Sequence, residues 1–236
     1  MILSASETDH TRQVTEYFDS IASNWESRYA PSGSMRGRLD RFGRPLSTLL
    51  PPPARILDFG CGPGDLAAHL SFSGYQVNAI DQSTAMIARA QKRFPAAIQF
   101  QAIDNLGQRG FRLPFEDHTL DAVVASSVLE YVAPVSRYLD EFRRVVKPGS
   151  YLLFTVPNPL HPIRMMEWLE IRALRRGLGR MWSQGRLEYL ASSINRGSES
   201  WWCTQLGEAG WDFVGATGRP APLLMIIARK SGRGAT

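Results

Sequence analysis

From Ala54 to Lys230 the chain repeats one pattern: a short apolar or β-branched run bounded by Gly, Pro or Asp, then a stretch with apolar residues three and four apart. Strands that read as near-continuous hydrophobics are covered on both faces, and strands joined by helices run parallel. The pattern predicts an α/β fold, a doubly wound, mostly parallel sheet of seven strands at 54–60, 75–81, 98–103, 120–127, 151–157, 211–218 and 222–230. No helical stretch separates the last two strands, so an antiparallel hairpin is expected at that edge.

With 236 residues, 44% hydrophobic and 21% charged, one domain with additions is expected. Its parts are a helical N-terminal lid (10–50), a core (51–157), an inserted lid (158–198) and C-terminal strands (199–236). The first segment carries Val14, Tyr17, Phe18, Ile21 and Trp25 at helical spacing, which pads the sheet or closes over it. The insertion carries Met165, Trp168, Ile171, Leu174, Leu178 and Trp182 beside six arginines, the signature of an amphipathic surface helix or lid. Gly177 and Gly179 argue against one continuous helix.

The net charge of +5 is uneven: residues 1–159 balance at 16 basic and 16 acidic groups, whereas 160–236 hold 11 and 6. That excess suits an acidic substrate, an acidic carrier protein or an anionic membrane surface, or forms a solvated face. Nucleic acid is not expected, since no separate basic domain grips phosphates. Cys61 and Cys203 have no metal-ligand spacing and fit a reducing cytoplasm. The start MILSASETDH lacks a leader pattern, and the apolar run at 223–228 is too short to span a bilayer, so a cytoplasmic protein, with peripheral membrane attachment as an addition, is expected.

The sharpest local signal is Asp58-Phe59-Gly60-Cys61-Gly62-Pro63-Gly64-Asp65, where the first strand turns into a helix. Glycines there let the backbone approach a ligand. The spacing is G-x-G-x-G, so the third glycine of the dinucleotide fingerprint is missing, and Asp65 at the helix start disfavours a pyrophosphate and favours a cationic ligand. Asp81 ends the second strand, where a carboxylate accepts from ribose hydroxyls, and Asp104 follows the third. Three carboxylates at successive strand ends point to one ligand site, although each singly reads as a turn or cap residue.

The segments ILDFGCGPGD, AIDQS, AIDNLG, LDAVVASSVLEYV and RVVKPGSYLLFTVPN resemble the ordered motifs of class I S-adenosylmethionine-dependent methyltransferases. The preceding YFDSIASNWESRY resembles the N-terminal helix of their small-molecule branch, which includes ubiquinone, menaquinone and Mg-protoporphyrin methyltransferases. The resemblance implies S-adenosylmethionine as cofactor and a Rossmann-like sheet with its sixth and seventh strands antiparallel. It implies Gly60, Gly62 and Gly64 along the methionine and ribose portion, with Asp58 supporting that loop. Asp81 would bind the ribose, Gln82 would pack beside the adenine, and Asp104 with Asn105 would meet the adenine amino group. Ser126 would face the sulfonium, with Tyr17 and Trp25 closing the lid or serving as core aromatics.

A hydroxyl acceptor must lose a proton, and the histidines are His10, His69, His118 and His161. His161 follows the fifth strand at the active end and is the best candidate base, with its flanking Pro159 and Pro162 allowing a plain loop role. In metal-assisted quinone O-methyltransferases of this family the VLEYV region adds an acidic residue and a histidine; Ser127 and Tyr131 stand there instead, so no metal is expected. Glu130 and Tyr131 line the acceptor pocket or pack the following loop, Tyr131 offering a hydroxyl or an aromatic wall. The expectation is methylation of a small apolar or aromatic acceptor, O-directed, with N- or C-methylation and a non-catalytic cofactor-binding protein as alternatives. Neither the acceptor nor the oligomeric state is specified.

Overall fold

The computed structural model describes residues 7–232 apart from 31, 34, 95–97, 105–110, 177–187 and 191. The strands are β1 (Arg55–Phe59), β2 (Gln76–Asp81), β3 (Gln99–Ala102), β4 (Leu120–Ser126), β5 (Val146–Pro157), β6 (Trp211–Thr217) and β7 (Leu223–Lys230). They form one sheet in the order β3-β2-β1-β4-β5-β7-β6. β7 lies between β5 and β6 and is antiparallel to both, while β1 to β5 pair in parallel. The expected edge hairpin is present, and β7 is its inner arm.

Side chains alternate across each strand, so each strand supplies two cores. In β4, Val123 and Ala125 pack on one face, Ala122 and Val124 on the other; in β7, Leu224, Ile226 and Ala228 oppose Met225 and Ile227. The first core is closed by α5 (Val135–Val145) and α7 (Glu199–Glu208), the second by α2 (Gly37–Leu49), α3 (Asp65–Phe72) and α4 (Thr84–Arg93). In α5 the residues Val135, Tyr138, Leu139, Phe142 and Val145 recur every three or four positions and are all buried. Ser83 caps α4 by accepting the Met86 amide at 3.0 Å, and Ser198 caps α7 through the Trp201 amide at 3.2 Å.

β5 starts five residues earlier than the sequence pattern indicates. Val146 pairs with Leu120 and the next pair is Tyr151 with Ala122, so Lys147–Ser150 bulge out, with Gly149 at φ +76° making the bend. The hydrophobic run begins only at Tyr151, which is why the bulged start is invisible in the pattern. The N-terminal segment divides into α1 (Glu7–Trp25), a 3-10 turn (Glu26–Tyr29) and α2. The insertion begins with α6 (Pro162–Arg175), while Leu178, Trp182, Gly177 and Gly179 lie outside the described residues. Among the described residues no helix is long and apolar enough to cross a membrane.

Trp202 is fully buried, its ring 5.1 Å from Phe154, and its indole N–H has no partner. Trp202→Ala should therefore lower stability in urea unfolding by about 3–5 kcal/mol through cavity formation. Trp202→Phe, which keeps a ring and deletes the orphan donor, should stay within about 1.5 kcal/mol of the parent.

Candidate functional site

β1 ends at Phe59 and the chain turns through Gly60, Gly62 and Gly64, all at positive φ, before α3 begins. A side chain at Gly60 would meet Val128 at 2.4 Å, and one at Gly64 would meet Phe100 at 2.8 Å, so these two are small because neighbours press against them. Gly62 differs: a Cβ there would come no nearer than 3.7 Å, to Trp25 Nε1, across a cavity. Gly60 and Gly62 line that cavity of about 510 Å³, whereas Gly64 does not. The volume lies in the range of small-molecule sites.

Asp65 is turned away from the cavity. Arg93 holds both its oxygens at 2.7 Å and also donates to the Pro63 carbonyl, so its charge is neutralised at the back of the loop. The expectation that Asp65 selects a cationic ligand is thus replaced by two carboxylates that do line the cavity, Asp58 and Asp81.

Asp81, at the end of β2, accepts the Gly62 amide at 2.8 Å on one oxygen and the Ser83 amide at 2.8 Å on the other. Removal from water raises its pKa, against the pull of the Ser83, Gly62 and Gln82 amides. Asp58 is 1% exposed, and among the described residues neither of its oxygens has a side-chain partner, the Ala67 amide being the backbone donor that acts on it. Burial, with the Asp81 charge in support and the Ala67 amide offsetting only part, pushes its pKa up to about 8. A buried carboxyl with so little hydrogen bonding is held in place by the fold at a cost that calls for an explanation. Ser126, at the end of β4, lines the same cavity with an unpartnered hydroxyl.

The roof is α1. Tyr17, Phe18 and Trp25 line the cavity, Phe18 meeting Trp25 and Tyr131 edge-on at 5.7 and 5.2 Å. Polar contacts fasten this helix beside Asp81: the Gln82 amide donates to the Thr11 carbonyl and the Thr15 hydroxyl, and the Ser83 hydroxyl to Asp19. Gln82 lines the cavity with its amide nitrogen already engaged by the roof.

The other end holds Arg38, Glu130, Tyr131, Arg164 and Tyr189. Glu130 is 2% exposed; one oxygen accepts the Ser193 hydroxyl at 2.8 Å, and burial raises its pKa against Ser193 and three arginines. Tyr131 lies well above the ordinary phenol range through burial and the Glu130 charge, so its hydroxyl stays protonated at neutral pH. Arg164 donates to both Glu167 oxygens at 2.8–2.9 Å and to the Tyr189 hydroxyl at 2.6 Å. Arg38 meets neutral hydroxyls, those of Ser127 at 3.2 Å and of Tyr29, and forms no ion pair with a carboxylate among the described residues.

No histidine lines the cavity. His161 Nδ1 caps α6 through the Ile163 amide at 3.3 Å, and His10 holds the Tyr131 carbonyl at 2.9 Å. His118 contacts the Val146 carbonyl and Lys230 in a turn. Asp104 is exposed and outside the lining, which Ile103 reaches instead; Asn105 lies outside the described residues. Of the described residues of the insertion, only Arg164 and Tyr189 reach the lining, and most of its aromatic rings come from α1, the 3-10 turn and the β4–α5 region. Arg38, Tyr29, Met86, Ile103, Arg164 and Tyr189 carry no sequence signal beyond helix or strand pattern. Among the described residues no cluster of three His, Cys, Asp or Glu could hold a metal ion.

The Asp58 proton gives a pH signature. Folded chains keep it to about pH 8, while an unfolded aspartate loses it near pH ~4, so stability is fully present below ~4 and is lost as pH rises toward 8. Asp58→Asn should melt above the parent at pH 8, with the difference shrinking as pH falls to about 4, as followed by thermal melts across pH.

Comparison with known proteins places this geometry. Residues 57–154 match the methyltransferase domain family. The chain is 34% identical over 175 residues to a demethylmenaquinone methyltransferase of Beutenbergia cavernae, covering 70% of this chain and 68% of that one. It is 30% identical over 209 residues to that of Mycobacterium tuberculosis, covering 86% of each. The fold superposes on magnesium protoporphyrin IX methyltransferase of Synechocystis with bound S-adenosylhomocysteine (TM-score 0.68, 18% identity, 94% and 100% of the two chains). It also superposes on 1,6-didemethyltoxoflavin-N1-methyltransferase of Burkholderia thailandensis (TM-score 0.66, 18% identity, 98% and 92%). An open carboxylate pair at the ends of β1 and β2, a glycine loop between them and this kinship make the chain a member of the methyltransferase domain family, a class I S-adenosylmethionine-dependent methyltransferase.

Proposed function

We propose that this methyltransferase acts on an oxygen of an apolar or aromatic small-molecule acceptor, with the cofactor's amino-acid end held between Asp58 and Arg38. The observation that carries the cofactor placement is a pair of groups in one cavity that lack a charged partner: the Asp58 carboxyl, which keeps its proton to about pH 8 until a cation faces it, and the Arg38 guanidinium. Among the described residues Asp58 has no side-chain partner for either oxygen, and Arg38 has only the neutral hydroxyls of Ser127 and Tyr29. By contrast Arg93, Arg144, Arg164 and Arg196 each hold a carboxylate. A zwitterion supplies the ammonium and carboxylate that such a pair lacks. Asp81 retains lone pairs for ribose hydroxyls beyond the two amides it already accepts. Ile80, Met86 and Ile103 give an apolar sheath for the adenine, with Gln82 beside it and Tyr17 and Trp25 in the roof.

When bound, S-adenosylmethionine would supply a sulfonium methyl for in-line transfer, the bond to the acceptor forming as the bond to sulfur breaks and the thioether leaves. The chain's part is to orient the acceptor and exclude water, which the α1 roof and the aromatic walls do. A hydroxyl acceptor also gives up a proton. The base role assigned to His161 passes to Glu130, since His161 lies off the cavity while Glu130 lines it with one oxygen free of hydrogen bonds. Tyr131, held protonated, serves as a donor or wall. A second reading, methylation of a ring carbon in a quinone-like acceptor, is supported by the demethylmenaquinone methyltransferases among the relatives.

Calorimetry should show saturable S-adenosylmethionine binding that Asp81→Ala and Arg38→Gln each weaken about tenfold or more, roughly 1.4 kcal/mol, with both variants folded by thermal melt. Absent binding by the folded parent overturns the site assignments. Labelled methyl should then pass to a phenolic member of an acceptor panel, with NMR placing it on oxygen. A methyl on ring carbon selects the second reading, and binding without transfer to any acceptor favours a non-catalytic role.

A further inference from the structure

α6 is built inside out. Its inward-facing residues are charged: Arg164 and Glu167 pair at 2.8 Å with side chains 11% and 4% exposed, and Arg196 joins Glu167 at 2.7 Å from the other side. Its outward residues are the apolar ones: Ile163, Met165, Met166, Trp168 and Leu169 are 50–62% exposed, and Leu160 just before the helix is 84% exposed. A helix facing water normally does the reverse. An apolar face of five large side chains on one 14-residue helix, about 21 Å long, marks a surface that meets an apolar partner.

Charge identifies the partner. Arg172 stacks over Trp168 at 5.5 Å and is exposed, as is Arg176 one turn beyond. Of the two acidic residues on this helix, Glu167 is already neutralised by two arginines, and Glu170 is half-buried on the side of the neighbouring cleft with an interaction of its own. The face is therefore apolar with a basic rim, which suits an anionic lipid surface and sets two copies of this chain against each other by like charge. A cleft of about 380 Å³ opens at the same place, lined by Ile163 and Met166 and sharing Arg164 and Tyr189 with the main cavity.

We propose that α6 lies in the interface of an anionic bilayer, with Ile163, Met166, Trp168 and Leu169 among the acyl chains and Arg172 and Arg176 at the headgroups. The Arg164–Tyr189 pair then stands between the bilayer-side cleft and the methyl-transfer cavity. The inference deepens the proposed function by naming an acceptor class, a lipid-dissolved molecule, and rests on that reading only for this last point.

Flotation of the full chain with vesicles of 70% phosphatidylcholine and 30% phosphatidylglycerol tests it. Recovery should exceed that with pure phosphatidylcholine about tenfold, fall in high salt, and accompany a blue shift of tryptophan emission. Trp168→Glu combined with Leu169→Glu should abolish flotation while S-adenosylmethionine binding measured without vesicles stays unchanged. No flotation by the parent overturns the proposal, as does flotation that survives the double substitution. Vesicle-free dimerisation that the double substitution abolishes would assign the face to a second copy instead. Cofactor binding in the same samples separates failure of the membrane inference from failure of the functional reading.

Discussion

The carboxylate of Asp81 is the fastening on which the site depends. One oxygen holds the Gly62 amide and the other the Ser83 amide, so the loop after β1 and the cap of α4 are tied to the end of β2 by two charge-assisted bonds. Gly60 adds backbone bonds from itself and Cys61 to the Ile80 carbonyl at 2.8 and 3.0 Å. With the loop fixed on its inner side by Asp81 and on its outer side by Arg93, Gly62 faces an open volume that no side chain fills. Without that fastening the amides would turn to water and the cavity floor would lose its shape.

Around this floor the fold concentrates charge that it does not neutralise. Among the described residues the half-buried Arg93, Arg137, Arg144, Arg164 and Arg196 meet carboxylates within hydrogen-bond distance, yet Arg38 and the Asp58 carboxyl face the cavity without a charged partner. Burying such groups unpaired opposes folding, so their persistence marks where structure is subordinated to ligand binding. The α1 roof adds a second layer. Its Thr11, Thr15 and Asp19 contacts to Gln82 and Ser83 fasten it next to Asp81, which couples closure of the roof to the loop that receives the ligand.

Much of this was legible in the chain itself. The strand pattern located all seven strands to within a residue or two at most ends because apolar alternation and turn residues are local signals. β5 is the exception, since a bulge through Lys147–Ser150 extends pairing into a stretch without apolar character. The glycine loop and Asp81 were legible because their spacing is fixed by one strand-loop-helix unit. Arg38 and the loss of His161 from the site were not legible. Arg38 meets Ser127, 89 positions away, only after α2 packs on the sheet, and nothing in its helix distinguishes it from Arg41 or Arg44.

The sequence by itself determined the α/β class, the sheet's strands, the glycine loop after β1 and the carboxyl groups at the ends of β1 and β2, because each is encoded within a few neighbouring residues. Tertiary structure alone decided which side chains share the cavity. It turned Asp65 toward Arg93, left Asp58 without a side-chain partner, brought Glu130 into the cavity lining and faced the apolar side of α6 outward. The physical reason is that burial and charge pairing are set by residues far apart in the chain, and these, rather than residue type, fix what a carboxylate or an arginine is free to bind.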